Sequence, residues 1–164
     1  MAEPVVNVFT VQLRAESLED LQGIVAAPSA QLVNNAFNWD LYQYTPSTTV
    51  PVSRSSHQNW TIGGGGTVDI DLTALPSSQS NIDGTGKKLQ VLVINNIAAA
   101  SINVAPGASN AYSPFGASND VDIPAGCAMA WKFNDNLADI AAGAKNIRIT
   151  GTAGHVIEVA IGLG

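Results

Sequence analysis

Turn signals recur about every ten residues along most of this chain, and this spacing limits the fold more than any other feature. Between the turns, from residue 30 onward, apolar and polar residues alternate with the period of two that is typical of β-strands. In "TVDIDLTAL", Val68, Ile70 and Leu72 share one predicted face, and Asp69 and Asp71 share the other. About eight short strands separated by turns predict a β-sandwich or barrel.

Three further segments refine this prediction. "KLQVLVINN" is apolar on both faces, which indicates a central strand that is covered on both sides. "CAMAWKF" places Cys127, Met129, Trp131 and Phe133 on one face of a strand. "KNIRITGTAGHVIEVAIG" predicts two strands around a Gly-Thr-Ala-Gly turn. We therefore expect an all-β fold: a single antiparallel β-sandwich of jelly-roll-like type.

The first 30 residues follow a different pattern. "VFTVQL" predicts a strand with Phe9, Val11 and Leu13 on one face. The next segment, "SLEDLQGIVAA", has apolar residues at helical spacing and a start that resembles a capping box, which predicts one short helix or helical turn that ends before Pro28. A short helix does not fit easily between two packed sheets.

We therefore predict an N-terminal arm over residues 1–30, which could still be part of the same domain, and a β-sandwich domain over residues 31–164. The apolar strand of the arm has two possible places. It either adds to the sheet of a neighbouring subunit or completes the sandwich of its own subunit.

Charge limits the partners that such a domain can bind. Only 12% of the residues are charged, the net charge is −6, and Lys87-Lys88 is the only adjacent basic pair. Nucleic acids and anionic membranes are bound by clustered basic residues, so we predict neither partner. A neutral polar surface suits a protein that packs against copies of itself or another protein. Because Cys127 is the single cysteine and "MAEPVVNVF" lacks the features of a signal peptide, we expect synthesis and folding in a cytoplasm.

The two histidines are the candidate general bases for catalysis. His57 lies in a polar segment, and His155 follows the Gly-Thr-Ala-Gly turn. A nucleophilic triad also needs a serine or cysteine and a carboxylate, and the chain has no Gly-x-Ser-x-Gly motif. We interpret His155 as a residue that flanks a hairpin turn at the start of a strand, and we predict no enzymatic activity.

Candidate metal ligands are carboxylates in short motifs. Asp69-x-Asp71, Asp120-x-Asp122 and "NDNLAD" at 134–139 supply oxygen atoms of the kind that calcium prefers, but none has the spacing of an EF-hand loop. The segment 134–139 is the best candidate for a structural calcium ion. We predict no metal and no cofactor.

Aromatic residues on polar faces and in loops raise the possibility of sugar binding. Tyr42 and Tyr44 lie on the polar face of a predicted strand, and Tyr112 and Phe115 lie in a long loop. The alternative is that the loop aromatics close one end of the sandwich.

From Trp60 to Gly164 the chain resembles a known class of protein. The segments "TIGGGGTVDIDLTAL", "GKKLQVLVINN", "INVAPGASNAYSPFG", "DVDIPAG" and "IRITGTAGHVIEVAIG" follow one another in a characteristic order. In this order they are similar to small β-sandwich proteins of tailed-bacteriophage heads, the capsid decoration or cement proteins. The resemblance covers about two thirds of the chain, and its motifs are strands and turns rather than catalytic signatures.

This resemblance implies a non-enzymatic structural protein on the outside of a virion, made in the host cytoplasm. Its expected partners are the major capsid protein and other copies of itself, most often in a trimer. The alternative is a carbohydrate- or receptor-binding module on a virion, and a glycan-cleaving enzyme is a third possibility. The predicted interface residues are Phe9, Val11, Leu13, Tyr112 and Phe115.

Overall fold

The protein is all-β in a computed structural model that describes the backbone of 9–11, 14–20, 31–38 and 42–44, and both backbone and side chains of 51–77, 80–133 and 136–164. The predicted all-β class is therefore confirmed for these residues, none of which lies in a helix. No helix among them is long and apolar enough to cross a membrane.

The N-terminal part contains four strands: β1 (Phe9–Val11), β2 (Arg14–Asp20), β3 (Gln31–Asn38) and β4 (Tyr42–Tyr44). β2 and β3 pair antiparallel, and β1 pairs with β4. Residues 10–43 form a compact unit, and residues 1–9 and 44–164 form a second one. The domain boundary predicted after residue 30 stays a prediction.

The predicted N-terminal helix is not confirmed. Ser17 and Leu18, which belong to its predicted first turn, lie in β2 opposite Asn34 and Val33 of β3. Strand pairing overrides the local helical spacing there, because tertiary contacts outweigh intrinsic propensity over so few residues. The rest of the predicted helix, residues 21–27, lies outside the described residues.

Eight strands form the second unit: β5 (Arg54–Thr61), β6 (Thr67–Asp71), β7 (Leu89–Asn95), β8 (Ile102–Pro106), β9 (Val121–Ile123), β10 (Ala128–Lys132), β11 (Asn146–Thr150) and β12 (Val156–Leu163). The first sheet has the strand order β10-β7-β12-β5, and the second sheet has the order β6-β11-β8-β9. Every pairing within these two sheets is antiparallel.

Buried side chains from both sheets belong to one hydrophobic core, as expected for two packed sheets. Ile70 and Leu72 are fully buried while Asp69 is exposed, so the predicted alternation over this segment is confirmed. From the first sheet, Leu92 and Ile94 enter the same core. β7 lies between two neighbouring strands, which confirms the prediction that it is central.

β10 is an edge strand, a position that the alternation in its sequence does not indicate. Of the four residues predicted to share one face, Cys127 and Met129 are exposed, whereas Trp131 and Phe133 are partly buried against the core. Alternation identifies the residues that share a face, but it does not indicate whether neighbouring strands cover that face. β11 and β12 belong to different sheets, so the Gly-Thr-Ala-Gly turn joins two sheets and is not a hairpin turn.

Candidate functional site

Four connections between strands meet at one end of the two-sheet domain. They are residues 62–66, 96–101, 124–127 and 151–155, which follow β5, β7, β9 and β11 respectively. Cross-strand pairing places them together, because Asn95 lies opposite both Ala128 and Glu158, and Thr150 lies opposite both Thr67 and Asn103. None of the four contains Asp, Glu, Lys or Arg. We call this surface the charge-free end.

Asn96 fixes two of these connections to one another. Its side chain is fully buried, and its Nδ2 lies 2.9 Å from the carbonyl oxygen of Ala100 and 3.0 Å from those of Ile123 and Pro124. Its backbone N–H donates to the carbonyl oxygen of Cys127 over 2.9 Å. A buried amide with this many partners holds the loop after β7 against the turn after β9.

The other two connections are joined through the backbone. The N–H of Ile62 donates to the carbonyl oxygen of His155 over 2.8 Å. The N–H of Gly151 donates to the carbonyl oxygen of Gly66 over 2.9 Å. A Cβ atom on Gly151 would lie 2.7 Å from Cδ1 of Ile62 and 3.1 Å from Cγ2 of Ile102. The chain passes so close to the core there that a larger residue would have to displace the side chains of Ile62 and Ile102.

The charge-free end exposes small and apolar side chains. Ile97 has 50% of its surface exposed, and Ala99, Ala125 and Cys127 are also exposed. Charged residues are depleted in the cores of protein–protein interfaces, where each buried charge would need a partner. A surface of this composition on a fixed backbone is suited to contact with another protein.

The opposite end differs in composition and length. Its connections are residues 72–88, 107–120 and 133–145, which carry both acidic and basic side chains, including Asp83, Lys87, Lys88, Asp120 and Asp139. Lys88 Nζ lies 4.0 Å from Asp139 Oδ1. The lack of charge is therefore a property of one end and not of all the loops in this domain.

The outer face of the second sheet carries ion pairs. Arg148 donates to Asp69 through two nitrogens, each over 2.7 Å, and these hydrogen bonds hold the pKa of Asp69 below its usual value. Burial raises the pKa of Asp71, but hydrogen bonds from Lys145 and Thr73 outweigh it and the net shift is downward. These carboxylates neutralise basic residues on the same face, an arrangement that fits a structural role.

The two candidate catalytic histidines lie at different places on the first sheet, whereas two of the candidate metal ligands, Asp120 and Asp122, share one hydrogen-bond donor. His57 is exposed on β5 opposite Ala160, whereas His155 directly precedes β12 and its Nδ1 is buried without a hydrogen-bond partner. Asp120 and Asp122 each accept a hydrogen bond of 2.9 Å from Asn103 Nδ2 at the edge of the second sheet. Within the part of the chain whose side chains are described, no three His, Cys, Asp or Glu residues form a possible metal site. Asn134 and Asp135 of the calcium candidate lie outside it.

The predicted interface residues lie in different environments. Phe9 and Val11 lie in β1, whose side chains are outside the described residues, as is Leu13. Tyr112 is buried in the core, where its hydroxyl donates to the carbonyl oxygen of Ala138 over 2.8 Å and accepts from the N–H of Leu89 over 3.2 Å. Burial also raises the pKa of this phenol. Tyr112 is therefore a core residue of this domain, and its role in an interface stays a prediction.

Phe115 belongs to a small aromatic cluster beside β10. Its ring centroid lies 5.0 Å from that of Trp131 and 5.8 Å from that of Phe133. All three rings are half-buried and pack against the hydrophobic core. The assignment of Phe115 to an interface stays a prediction.

Comparisons with protein-family profiles, curated proteins and solved structures found no match to this chain. The charge-free end is thus defined by its geometry and composition alone. Sequence analysis missed it, although each of its four segments is visibly rich in Gly and Ala. The missing information was the strand order, which brings together segments up to 93 residues apart, from Ile62 to His155.

Proposed function

We propose that this protein is a non-enzymatic viral structural protein that binds the outside of an assembled capsid and associates with itself, so reinforcing the shell. The charge-free end carries this proposal. It is a multi-loop surface without charged side chains, it is held by buried hydrogen bonds, and it exposes Ile97. An exposed apolar surface of this kind marks a site of protein–protein contact.

The proposed partner is the major capsid protein, and the proposed location is the exterior of the virion after synthesis in the host cytoplasm. A homotrimer is the oligomer implied by the resemblance to decoration proteins. In this arrangement the charge-free end rests on the shell and the charged opposite end points to solvent. The two ends then have the compositions that their surroundings favour.

We also infer that the domain is a β-sandwich with jelly-roll-like connections. Strand order supports this inference. Six of the seven connections from β5 to β12 pass from one sheet to the other, and the connection from β8 to β9 alone stays within a sheet. Two four-stranded antiparallel sheets linked in this way are typical of jelly rolls. A crystal structure in which β12 does not lie between β5 and β7 would contradict the inference.

Two matched alanine variants test capsid binding. Ala99 is exposed in the charge-free end, and Ala142 is exposed in a turn between β10 and β11 at the opposite end. Ala99→Glu places a carboxylate in the proposed interface, where it loses water without gaining a partner. We expect this variant to bind empty capsids at least about tenfold more weakly in a cosedimentation assay, a change that corresponds to about 1.4 kcal/mol.

Ala142→Glu adds the same charge to the opposite end, and we expect it to bind like the unmodified protein. Equal binding by both variants would contradict docking through the charge-free end. Loss of binding by Ala142→Glu alone would assign docking to the opposite end.

No observation favours the alternative of a carbohydrate- or receptor-binding module. Sugar sites commonly present exposed aromatic rings, and within 51–77, 80–133 and 136–164 every aromatic ring is buried or half-buried. Tyr42 and Tyr44 lie in β4, whose side chains are outside the described residues. A glycan-array screen that detected a saturable ligand would favour this alternative over capsid binding.

A further inference from the structure

The outer face of the first sheet is apolar along its two central strands, β7 and β12. Ile94 of β7 and Val159 of β12 are buried in the core, so the residues that alternate with the core positions point outward. The outward residues are Val91, Val93 and Asn95 of β7 and Val156, Glu158, Ala160 and Gly162 of β12. Only Asn95 and Glu158 among them are polar, and Asn95 Nδ2 donates to Glu158 Oε2 over 2.7 Å.

The two central strands of the second sheet, β8 and β11, have a different outer face. Their outward residues are Asn103 and Ala105 of β8 and Asn146, Arg148 and Thr150 of β11. Most of these are polar, as expected where the outer face of an antiparallel sheet meets water. Apolar residues on both faces of a strand indicate that both faces are covered, so we expect the outer face of the first sheet to have a partner.

Among the described residues, Val52 covers one end of this face. A Cβ atom on Gly162 would lie 3.2 Å from Cγ2 of Val52 and 3.4 Å from Cβ of Val91, and Val52 and Val91 are both buried. Val93 and Ala160 lie opposite each other in the middle of the face, and both remain partly exposed. The middle of the face is therefore the part that a partner can reach.

We propose that the middle of this face packs against the same face of two other copies, about a threefold axis that runs along the strands. This inference rests on the homotrimer of the proposed function and names the surface that forms it. The contacts of a cyclic trimer are heterologous, so the β12 half of the face in one copy contacts the β7 half in the next. Ala160 of one copy then meets Val93 of its neighbour, and the apolar residues of the three faces cover one another.

The orientation of the domain on the shell favours another copy as the partner. The strands of both sheets run between the charge-free end and the opposite end, so the sheet faces point sideways when the charge-free end rests on the capsid. A face that points sideways meets neighbouring copies and not the shell beneath them. A threefold axis perpendicular to the shell is then parallel to the strands, which is the direction that the proposed packing requires.

The polar residues of the face fit the same packing. Rotation about an axis along the strands keeps each cross-strand row at its own height, so the row of Asn95 and Glu158 meets the same row of the next copy. An amide group has two donor hydrogens, and Asn95 uses one of them for Glu158 of its own chain. In the trimer the second hydrogen bonds to Glu158 of the neighbouring copy, which provides electrostatic complementarity between the copies.

Sedimentation velocity over a range of concentrations tests the proposal on the full chain. We expect the unmodified protein to form trimers and Ala160→Glu to sediment as a monomer, because the new carboxylate would be buried against Val93 of a neighbour without a partner. Ala105→Glu is the matched control. Ala105 lies on the outer face of the second sheet opposite Arg148 and is partly exposed, as Ala160 is.

We expect the control variant to remain trimeric. Near-ultraviolet circular dichroism of both glutamate variants establishes whether each is folded.

Thiol labelling provides a second measurement that does not depend on a buried charge. In a Cys127→Ser background, we expect Ala160→Cys to react with a maleimide several-fold more slowly in the trimer than after dilution to the monomer. Ala105→Cys in the same background should react at one rate at all concentrations. A slow rate at residue 160 that does not change with concentration would show that the chain covers this face itself, and would overturn the packing.

The possible failures are distinguishable. An unmodified protein that is monomeric at every concentration would overturn both the proposed packing and the proposed self-association. A trimer that persists in Ala160→Glu would overturn the packing through this face and leave self-association in place. A stable dimer of the unmodified protein would overturn the threefold arrangement. Capsid binding is measured separately with Ala99→Glu.

Discussion

Asn96 shows how one buried polar residue can organise a surface. Its side chain reaches carbonyl groups from two connections that are distant in sequence, and its Oδ1 accepts from the N–H of Ala98 over 3.2 Å. An apolar residue of the same size would leave these groups, which are buried or partly buried, without this hydrogen-bond partner. The exposed apolar loops of the charge-free end thus depend on a polar residue beneath them.

We predict that Asn96→Ala lowers the free energy of unfolding by about 2–3 kcal/mol, because several buried backbone groups lose their partner. Urea denaturation monitored by circular dichroism measures the change. Asn59→Ala is the control, since Asn59 is exposed on β5 and its removal should change stability by less than about 0.5 kcal/mol. Equal stability of the two variants would contradict the role assigned to Asn96.

We predict that His155→Ala keeps capsid binding and reduces stability by about 1 kcal/mol or less. The contact that joins His155 to Ile62 uses its backbone carbonyl, which alanine retains, and its Nδ1 has no hydrogen-bond partner to lose. Binding and urea denaturation of the variant are the measurements. Complete loss of binding would show that the imidazole itself takes part in function.

At the scale of elements, the second sheet links stability to pH. Asp69 and Asp71 both have a pKa below the usual value in the folded protein. A carboxyl group with a lowered folded pKa stabilises the fold above its unfolded pKa of about 3.9, and this stabilisation is lost as the pH falls through the folded pKa.

We therefore expect the urea midpoint to be constant from about pH 6 to 5 and to fall below about pH 4. Asp71→Asn should reduce this acid sensitivity, with a change at neutral pH of less than about 1 kcal/mol because the pair with Lys145 is partly exposed. An unchanged acid profile in this variant would show that other groups control acid unfolding.

Gly107, directly after β8, packs closely against Asn146 at the start of β11. A Cβ atom there would lie 2.6 Å from Cβ and 2.8 Å from the backbone oxygen of Asn146. We predict that Gly107→Ala lowers stability by about 1–3 kcal/mol, because the backbone oxygen cannot move aside without disturbing β11. Gly64→Ala is the control, since nothing lies within 4 Å of its Cβ position. Differential scanning calorimetry of the two variants measures the difference, and equal melting temperatures would contradict the prediction.

Much of this element-level structure could be predicted from the sequence. Alternation identified the buried face of β6, and continuous apolar character identified β7 as central. Position within a sheet could not be predicted in the same way. The alternation of β10 groups Met129 with Trp131 on one face, yet Met129 is exposed because exposure depends on neighbouring strands that are remote in sequence.

At the scale of the whole molecule, the candidate site depends on topology. None of the four segments of the charge-free end indicates a binding site by its own sequence. The order of the strands brings them together. The same topology bears on the N-terminal arm. β1 pairs with β4 of its own chain, so its backbone groups on that side have partners without a neighbouring subunit.

We predict that deletion of residues 2–30 leaves β5–β12 folded, because all eight strands of the two sheets lie beyond the deletion. If the charge-free end docks on the shell, the shortened protein should also still bind empty capsids. Near-ultraviolet circular dichroism and cosedimentation measure the two properties. A folded protein that no longer binds would assign capsid attachment to the arm, and an unfolded one would make the arm part of the domain.

The position of β12 has a consequence for how this protein is made. β12 lies between β5 and β7, so β5 has no neighbour in its sheet until β12 is available. A ribosome releases β5 roughly a hundred residues before β12, and at about 5–20 residues per second the early strands wait several seconds for their partner. We therefore expect folding to be post-translational and slow, as is usual when most contacts join distant parts of a chain, and to benefit from chaperones during that interval.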